Sequence, residues 1–157
     1  MAFDRIDLRI LDLLQHDARV PLARIADQVG LSPTPCWKRI RKLEESGVIR
    51  ARVALLDPGP FGLSLTAFVL VEAADQTPEW RQGFLATLEA IPSVRDVFRL
   101  TGRQDFMLRV LVADVAALDA LVESLRDRVS LRSCEIMMVA EQSIRSTALP
   151  LPIDRVA

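Results

Sequence analysis

SPTPCWKRIRKLEESG, residues 32–47, contains both lysines of the 157-residue chain and two of its arginines. Both ends of this segment carry residues that are typical of helix termini. Ser32 is a capping residue type whose hydroxyl is expected to accept a hydrogen bond from the first turn, and Pro33 costs no hydrogen bond at the first helical position. Pro35 is still within that first turn, and Gly47 suits the left-handed residue that ends a helix. We therefore predict one capped helix, which we call the basic helix.

The basic helix is amphipathic. Cys36, Ile40 and Leu43 recur at helical spacing and predict its buried face. The opposite face carries Thr34, Lys38, Arg41, Lys42 and Glu45. Three cations and a small hydroxyl beside a single acid suit contacts with phosphates and guanine edges. A solvated surface is the alternative, and the sequence upstream favours the DNA interpretation.

Two side chains lie at the edges of the basic face. Trp37 could pack against the preceding helix or lie along a sugar-phosphate backbone, and we favour packing. We expect the stem of Arg39 to be packed and its head to pair with Glu44 or Asp27, so that it does not read bases. The predicted DNA-binding residues are Ser32, Thr34, Pro35, Trp37, Lys38, Arg41 and Lys42.

Two further helices are predicted upstream. PLARIADQVG, residues 21–30, begins with a proline, spaces its apolar residues helically and ends with a glycine, so only two residues separate it from the basic helix. DRIDLRILDLLQH, residues 4–16, has apolar residues on one face and a capping pair, Asp4 and Asp7, at its start. A helix, a tight glycine turn and a capped basic helix predict a (winged) helix-turn-helix domain, whose second helix enters the major groove of DNA.

The second half of the chain alternates predicted strands and helices. Strands are predicted at residues 65–73, 94–100, 106–113 and about 134–141. One helix is predicted to open at Thr77 and Pro78, and another to be capped by Asp114. This βαββαβ order is the ferredoxin-like plan, so the predicted fold class is α+β.

We predict three parts along the chain. Residues 1–49 form the helix-turn-helix domain, and residues 63–157 form the ferredoxin-like domain. Residues 50–62 connect them as a linker strand or hinge, because they begin with alternating polar and apolar residues and continue with the chain-breaking sequence DPGP. Arg50 and Arg52 share one face of that strand and are expected to be either phosphate contacts or solvated charges.

Several stretches of the sequence resemble Lrp/AsnC (feast/famine) transcriptional regulators. They are residues 4–7, 10–14, 17–19, 25–26, 29–36, 39–40, 43–44 and 47–49 in the first half, and residues 55–58, Gly62, residues 102–105 and the last strand in the second. The resemblance covers nearly the whole chain. It implies a sequence-specific regulator that binds double-stranded DNA at promoters and responds to a free amino acid through its ferredoxin-like domain. It also implies a homo-oligomer, either a dimer or an octamer built as a tetramer of dimers.

TGRQD, residues 101–105, is the one place outside the basic helix where the residues suggest a ligand site. Gly102 permits a backbone conformation that lets neighbouring amides converge on an anion such as an α-carboxylate. Asp105 can accept a hydrogen bond from an α-ammonium, and Arg103 adds a second cation or is solvated. On the residues alone, an ordinary β-hairpin turn is the alternative. The resemblance favours a ligand site, because regulators of this family bind amino acids at this turn, between subunits.

The identity of the effector stays open. Regulators of this family often have an aromatic residue before the aspartate, whereas this chain has Gln104. Cysteine is one candidate, since residues 34–39 and 54–58 are most similar to a cysteine-responsive branch of the family, and another amino acid is the alternative. Met138 and its neighbours could form an apolar wall for the ligand, the sheet core or a dimer interface. The predicted effector-binding residues are Thr101, Gly102, Arg103, Asp105 and Met138.

The net charge of −1 is unevenly distributed along the chain. Residues 1–56 carry ten basic and seven acidic side chains, and residues 57–157 carry ten basic and fourteen acidic ones. Because each neutralised phosphate adds to counterion release, a weakly basic domain predicts that two or more copies bind DNA together. Oligomerisation is thus expected from the charge as well as from the resemblance.

Other classes of protein fit the sequence less well. The only histidine, His16, has no nucleophile beside it, and Cys36 and Cys134 lie in different halves of the chain, so we predict no catalytic site, no metal ion and no disulfide. No apolar stretch approaches the ~20 residues that span a bilayer, and the amino terminus lacks a signal peptide, so we expect a cytoplasmic protein without a membrane partner. We expect no cofactor apart from the amino-acid effector.

Two alternative functions remain open at this point. One is an architectural protein that wraps DNA, with little or no ligand response. The other is a ferredoxin-like ligand-binding or catalytic module whose first helices serve only assembly.

Overall fold

The structure, a computed structural model, describes residues 3–155 and comprises two compact units. The first contains the chain up to Leu55 together with the segment that begins at Ile144, and the second is Leu56–Ser143. The second unit thus ends at Ser143, and not at residue 157 as predicted for the second domain. The last stretch of the chain returns to the first unit, whereas the predicted bounds assign it to the second domain.

Three helices form the first unit: α1 (Arg5–His16), α2 (Leu22–Gln28) and α3 (Pro33–Glu45). Their apolar faces share one core, made of Ile10, Leu14, Ile25, Ala26, Val29, Cys36, Ile40 and Leu43. Gly30 and Gly47 follow α2 and α3 with φ of 71° and 75°, a left-handed conformation that favours glycine. The predicted helix-turn-helix order is confirmed.

The starts of α1 and α3 differ in how they are capped. The Asp4 carboxylate accepts from the Asp7 N–H at 2.8 Å, and the Asp7 carboxylate accepts from the Asp4 N–H at 3.4 Å, as predicted for a capping pair. Ser32 precedes α3 as predicted, but its hydroxyl makes no capping hydrogen bond. A serine cap uses the N–H of the second or third helical residue, and the third is Pro35, which has none. The predicted hydroxyl cap is therefore wrong.

Residues 46–64 contain no strand and no hairpin, and a short 3₁₀ turn at Gly59–Phe61 is their one regular element. The linker strand predicted within residues 50–62 is therefore absent. A strand needs hydrogen-bonding partners for its backbone, and none of the four strands described in residues 3–155 pairs with this stretch. The linker is exposed and irregular.

The second unit is a four-stranded antiparallel sheet with two helices. Its elements are β1 (Leu65–Ala73), α4 (Pro78–Glu89), β2 (Val94–Arg99), β3 (Phe106–Val112), α5 (Val115–Arg128) and β4 (Leu131–Met138). The strand order is β2-β3-β1-β4, and every neighbouring pair is antiparallel. Thr77 and Asp114 cap the two helices through their side chains. The predicted βαββαβ order and α+β class are confirmed.

Both helices pack on one face of this sheet. The buried side chains there are Ala67, Val69, Val71, Phe84, Leu88, Phe106, Leu108, Val110, Val112, Leu118, Leu121, Val122, Leu125 and Val129. Phe84 is fully buried, and its ring centroid lies 4.9 Å from that of Trp80 and 4.9 Å from that of Phe106. In the described part of the chain, no helix has the length and apolar character needed to cross a bilayer.

The other face of the sheet, which we call the open face, is apolar and partly exposed. Phe68 and Leu70 of β1 are half-buried on it, and Phe98 and Met137 on the two edge strands are exposed. Single exposed apolar residues are common on soluble proteins, but a contiguous apolar patch indicates an interaction surface.

Candidate DNA-binding and effector sites

The exposed face of α3 carries the cations predicted to meet DNA. Its exposed residues include Ser32, Thr34, Pro35, Lys38, Arg41 and Lys42. Among residues 3–155, neither lysine has a carboxylate within the 4.0 Å of an ion pair. Lys38 and Lys42 lie about one helical turn apart on one face. Both ammonium groups are therefore available to phosphate oxygens.

Arg41 is held between two neighbours on the same helix. Its Nε donates to Glu45 Oε1 at 2.7 Å, and its guanidinium carbon lies 5.3 Å from the ring centroid of Trp37. The pair with Glu45 is exposed, so a phosphate or base can replace Glu45 at little cost.

Trp37 is 45% exposed, so our preference for packing against the preceding helix is wrong. Cys36 occupies the core position, and the following residue is rotated by about 100° out of that position. The indole therefore lies beside Arg41 on the basic face, where it is accessible to a sugar-phosphate backbone.

Arg39 connects α3 to the start of α1. Its Nη1 donates at 2.7 Å to both Asp4 Oδ2 and Asp7 Oδ1. The partners predicted from the sequence, Glu44 and Asp27, are wrong, because the fold brings the start of α1 beside α3. Hydrogen bonding to Asp7, and then to Asp4, raises the pKa of the Arg39 guanidinium. These bonds, which we call the Arg39 clamp, fix α3 relative to α1.

The capping pair makes an acid-sensitive contribution to stability. The hydrogen bond from the Asp7 N–H is the largest cause of a lowered pKa of the Asp4 carboxyl. Burial opposes it, and the hydrogen bond and charge of Arg39 lower the pKa further. Because the pKa of Asp4 is lower in the folded state, its ionised carboxylate stabilises the fold fully above about pH 4, where the carboxyl is ionised in the unfolded chain as well. This stabilisation is lost as pH falls through the folded-state pKa of Asp4.

We expect Asp4→Asn, which keeps a capping side chain but loses the charge, to test this contribution. The thermal midpoint of the wild type should exceed that of Asp4→Asn near neutral pH, and the difference should be smaller at about pH 3, below the ordinary pKa of an unfolded aspartate. The measurement is thermal unfolding by circular dichroism at both pH values. An equal difference at both would contradict a charge-dependent role for Asp4.

The turn between β2 and β3 contains four of the five predicted effector residues. Thr101, Gly102 and Arg103 are exposed, and Gly102 has φ of 147°, within the range that favours glycine. Asp105 is half-buried, and its N–H donates to the Val71 carbonyl oxygen at 2.9 Å. The turn therefore presents an exposed backbone next to a partly buried carboxylate.

The Asp105 carboxylate orders the end of β1. Its Oδ2 accepts from the Ala73 N–H at 2.8 Å, and its Oδ1 accepts from Gln76 Nε2 at 3.0 Å. An ionised carboxylate can accept about four hydrogen bonds, so capacity for a further donor remains. The sequence predicted an ammonium acceptor at this position, and the structure adds this second role.

Met138 lies away from this turn within the chain. It pairs with Ala67 in the sheet, whereas Asp105 bonds to Val71, four residues further along β1. Four strand residues span about 13 Å. The fold of one chain therefore does not bring Met138 and the turn together, and its side chain is exposed on an edge strand.

Gln104 is the residue of this turn that the predicted set omits. Its Oε1 is buried and accepts no hydrogen bond from the described residues. A buried polar atom without a partner costs about 1–3 kcal/mol, so this oxygen favours a bound donor. The sequence did mark this position, because Gln104 is polar where the family that the sequence resembles often has an aromatic residue.

The cysteines and the histidine lie apart from one another. Cys36 is buried in the first unit, Cys134 is half-buried in the second, and burial raises the pKa of each thiol. His16 Nδ1 lies 2.8 Å from the Asp12 carbonyl oxygen, at the end of α1. Within residues 3–155, no three potential metal ligands come together.

Family models match both halves of the chain. Residues 3–50 match the family model described as winged helix-turn-helix DNA-binding, and residues 66–149 match the model of the Lrp/AsnC ligand binding domain. The glutamate uptake regulatory protein of Zymomonas mobilis is 42% identical over 149 residues, which cover 95% of this chain and 91% of that protein. The DNA-binding transcriptional activator DecR of Escherichia coli is 38% identical over 149 residues, which cover 94% of this chain and 98% of that protein.

Solved structures agree with the fold. An AsnC family transcriptional regulator from Agrobacterium tumefaciens has a TM-score of 0.90 and 41% identity, covering 94% of this chain and 97% of that one. A transcriptional regulator from Neisseria meningitidis, solved as an L-Met complex, has a TM-score of 0.91 and 31% identity, covering 96% and 98%. These relatives are transcriptional regulators and not enzymes. Both family models match, and the relatives match along almost the whole length of the chain. The chain therefore belongs to the Lrp/AsnC family of DNA-binding transcriptional regulators.

Proposed function

We propose that this regulator binds promoter DNA sequence-specifically through α3, and that a free amino acid modulates its DNA binding or its assembly. The exposed basic face of α3 is the observation that carries the DNA half of the proposal. Lys38 and Lys42, without acidic partners in the described residues, suit phosphates. Arg41, which lies beside Trp37, suits a phosphate or a guanine edge. The remaining proposed contacts are at the start of α3, which in this motif points into the groove: Ser32, Thr34 and Pro35.

The effector half of the proposal rests on the turn between β2 and β3. The exposed backbone around Gly102, with Thr101 and Arg103, binds the α-carboxylate of the effector, and Asp105 accepts from its α-ammonium. The Neisseria meningitidis regulator bound to L-Met supports an amino acid as the ligand class. Cysteine or another amino acid is the effector of this chain. Met138 takes part when it comes from a second copy, since within one chain it lies about 13 Å along the sheet from the turn.

We also propose a homodimer that assembles further into an octamer, a tetramer of dimers. The apolar open face of the sheet supports association of copies, because burying exposed apolar area is favourable. The weak positive charge of the first unit supports it independently, since two such units together contact more phosphates. In this proposal residues 1–49 bind DNA, residues 50–62 act as the hinge, and the ferredoxin-like part binds the effector. The protein acts in the cytoplasm, where promoter DNA is accessible to it.

We expect Lys38→Ala and Lys42→Ala to weaken DNA binding and to reduce its salt dependence. Each lost phosphate contact should lower the slope of log affinity against log salt concentration by about 1. The measurement is fluorescence anisotropy with a labelled duplex of mixed sequence at several salt concentrations. Arg126→Gln, which removes an exposed cation paired with Glu123 in the second unit, is the matched control and should leave the slope unchanged. Unchanged slopes for both lysine variants would overturn α3 as the DNA-contacting helix.

We expect one or two of the twenty amino acids to raise the thermal midpoint of the protein. A ligand at one hundred times its Kd adds about 2.7 kcal/mol to the folded state. Asp105→Asn retains an acceptor for the Ala73 N–H but loses the charge that binds an ammonium, so the shift should shrink in this variant while the unliganded midpoint changes little. A flat panel for the wild type would instead support the architectural DNA-wrapping alternative.

A further inference from the structure

The C-terminal segment of the chain is bound to α1 by two hydrogen bonds between the Gln15 side chain and the Leu149 backbone. Gln15 Nε2 donates to the Leu149 carbonyl oxygen at 3.0 Å, and the Leu149 N–H donates to Gln15 Oε1 at 2.8 Å. One side-chain amide thus satisfies both backbone groups of one residue, as a neighbouring strand would. The side chain of Leu149 is itself 69% exposed. The contact therefore recognises the backbone of residue 149 and not its side chain.

Leu8 lies on the same side of α1 as Gln15. At about 100° per residue the two positions are about 20° apart, whereas Ile10 and Leu14 of the three-helix core lie about 160° and 120° away from Leu8. Leu8 is nevertheless only 3% exposed, and it is not a member of that core. A buried leucine on the side of a helix that faces away from the core needs another cover.

The C-terminal segment packs on α1 and is the candidate for that cover. Its 3₁₀ turn, Ile153–Arg155, packs against α1. Leu151 and Ile153 are half-buried, whereas most residues between Ile144 and Leu149 are exposed. Apolar side chains at alternate positions of an extended segment can contact one surface while the backbone between them stays outside. The pattern of burial is that of a short peptide lying on a helix.

We propose that Leu8 and Gln15 form a docking surface on α1 whose occupant is residues 148–154 of the same chain. The segment follows directly on the second unit, which ends at Ser143. Docking therefore tethers the first unit to the end of the second unit non-covalently, in addition to the covalent linker. Because the first turn of α1 holds Arg39 of α3, a strap on α1 acts on the helix that positions the DNA-contacting face.

Amide hydrogen exchange in the full-length protein tests the docking directly. The Leu149 N–H should exchange slowly in the wild type, and at the rate of an unstructured peptide in Gln15→Ala, which removes both hydrogen bonds. Gln28→Ala, an exposed glutamine on α2, is the matched control and should leave the Leu149 rate unchanged. Exchange at the unstructured rate in the wild type would overturn the proposal.

Two substitutions in the segment itself separate backbone recognition from side-chain packing. Leu149→Ala keeps the N–H and should leave the NMR methyl shifts of Leu8 unchanged, whereas Leu149→Pro removes the donor and should move them as Gln15→Ala does. Leu8 methyl shifts that are unaffected by Leu149→Pro would overturn the docking surface. The protection of the Leu149 N–H from exchange should not depend on protein concentration. Protection that disappears on dilution would contradict docking within one chain, because it would show that the segment of a second copy occupies the surface.

Discussion

Arg39→Gln is expected to lower the free energy of unfolding of the first unit by about 2 kcal/mol in total. Its two hydrogen bonds to carboxylates are partly exposed, so each contributes less than the ~1.5–3 kcal/mol of a well-buried charged hydrogen bond. In the wild type, Arg39 Nη1 lies 2.7 Å from both Asp4 Oδ2 and Asp7 Oδ1. Without the guanidinium, the two carboxylates keep their mutual repulsion and lose their shared cation, and the Asp7 side chain is only 19% exposed. The loss should therefore exceed the ~0–1 kcal/mol of an exposed ion pair. Urea unfolding followed by Trp37 fluorescence in a Trp80→Phe background measures it.

The effect on DNA binding distinguishes a positioning role from a direct contact. Arg41→Gln is the matched variant, since it removes the same charge from the same helix and breaks only exposed contacts, the pair with Glu45 and the cation–π contact with Trp37. We expect Arg41→Gln to reduce the salt slope of DNA binding by about 1 while changing stability by less than about 0.5 kcal/mol. Arg39→Gln should weaken binding of the folded protein and leave the slope unchanged. A slope reduced by Arg39→Gln would show that Arg39 contacts a phosphate, and would contradict the clamp.

Most elements of both units follow from local patterns in the sequence. The capping pair at Asp4 and Asp7 and the left-handed glycines Gly30 and Gly47 each depend on a few neighbouring residues, so single-sequence reasoning finds them. The buried stripe of α3 follows from helical spacing, and the βαββαβ order follows from the alternation of strand-forming runs and capped helices. Local rules fail where two of them compete, as when Pro35 removes the N–H that a serine cap would use.

The predictions that fail involve partners distant in sequence. Arg39 bonds to residues 35 and 32 positions away, and Gln15 bonds to a residue 134 positions away. Helical spacing tells which face a side chain occupies, but it does not tell which group of another element lies opposite. For the C-terminal segment a signal was present: Leu8 is an apolar residue on the otherwise polar side of α1, and its burial needs a second contact.

The proposed effector site is harder to predict than the fold, because its parts depend on more than one turn. The glycine and the carboxylate of the β2–β3 turn are visible in the sequence, but the bonds of Asp105 to Ala73 and Gln76 arise only when β1 lies beside β3. The sequence suggested Met138 as part of an apolar wall for the ligand. The register of β4 on β1 instead pairs Met138 with Ala67, four residues along β1 from Val71, which contacts the turn. Strand register is set by pairing, which sequence spacing alone does not determine.

Phe84→Ala is expected to destabilise the second unit by about 3–5 kcal/mol, because truncating a buried phenylalanine loses transfer free energy and leaves a cavity. Phe84 is fully buried, and its aromatic contacts with Trp80 and Phe106, at centroid distances of 4.9 Å, are lost as well. The chain has two tryptophans, Trp37 in the first unit and Trp80 in the second. In a Trp37→Phe background, Trp80 fluorescence during urea unfolding therefore reports on the second unit alone.

Phe61→Ala provides the matched control for Phe84→Ala, because it removes the same atoms from an exposed position in the same unit. Its effect should stay within about 0.5 kcal/mol, as is usual for surface substitutions. Circular dichroism in the same background should give a midpoint for Phe84→Ala that agrees with the Trp80 signal if the unit unfolds cooperatively. A loss below about 1 kcal/mol for Phe84→Ala would mean that α4 and the sheet close over the missing ring, and it would contradict a rigidly packed core beneath the effector turn.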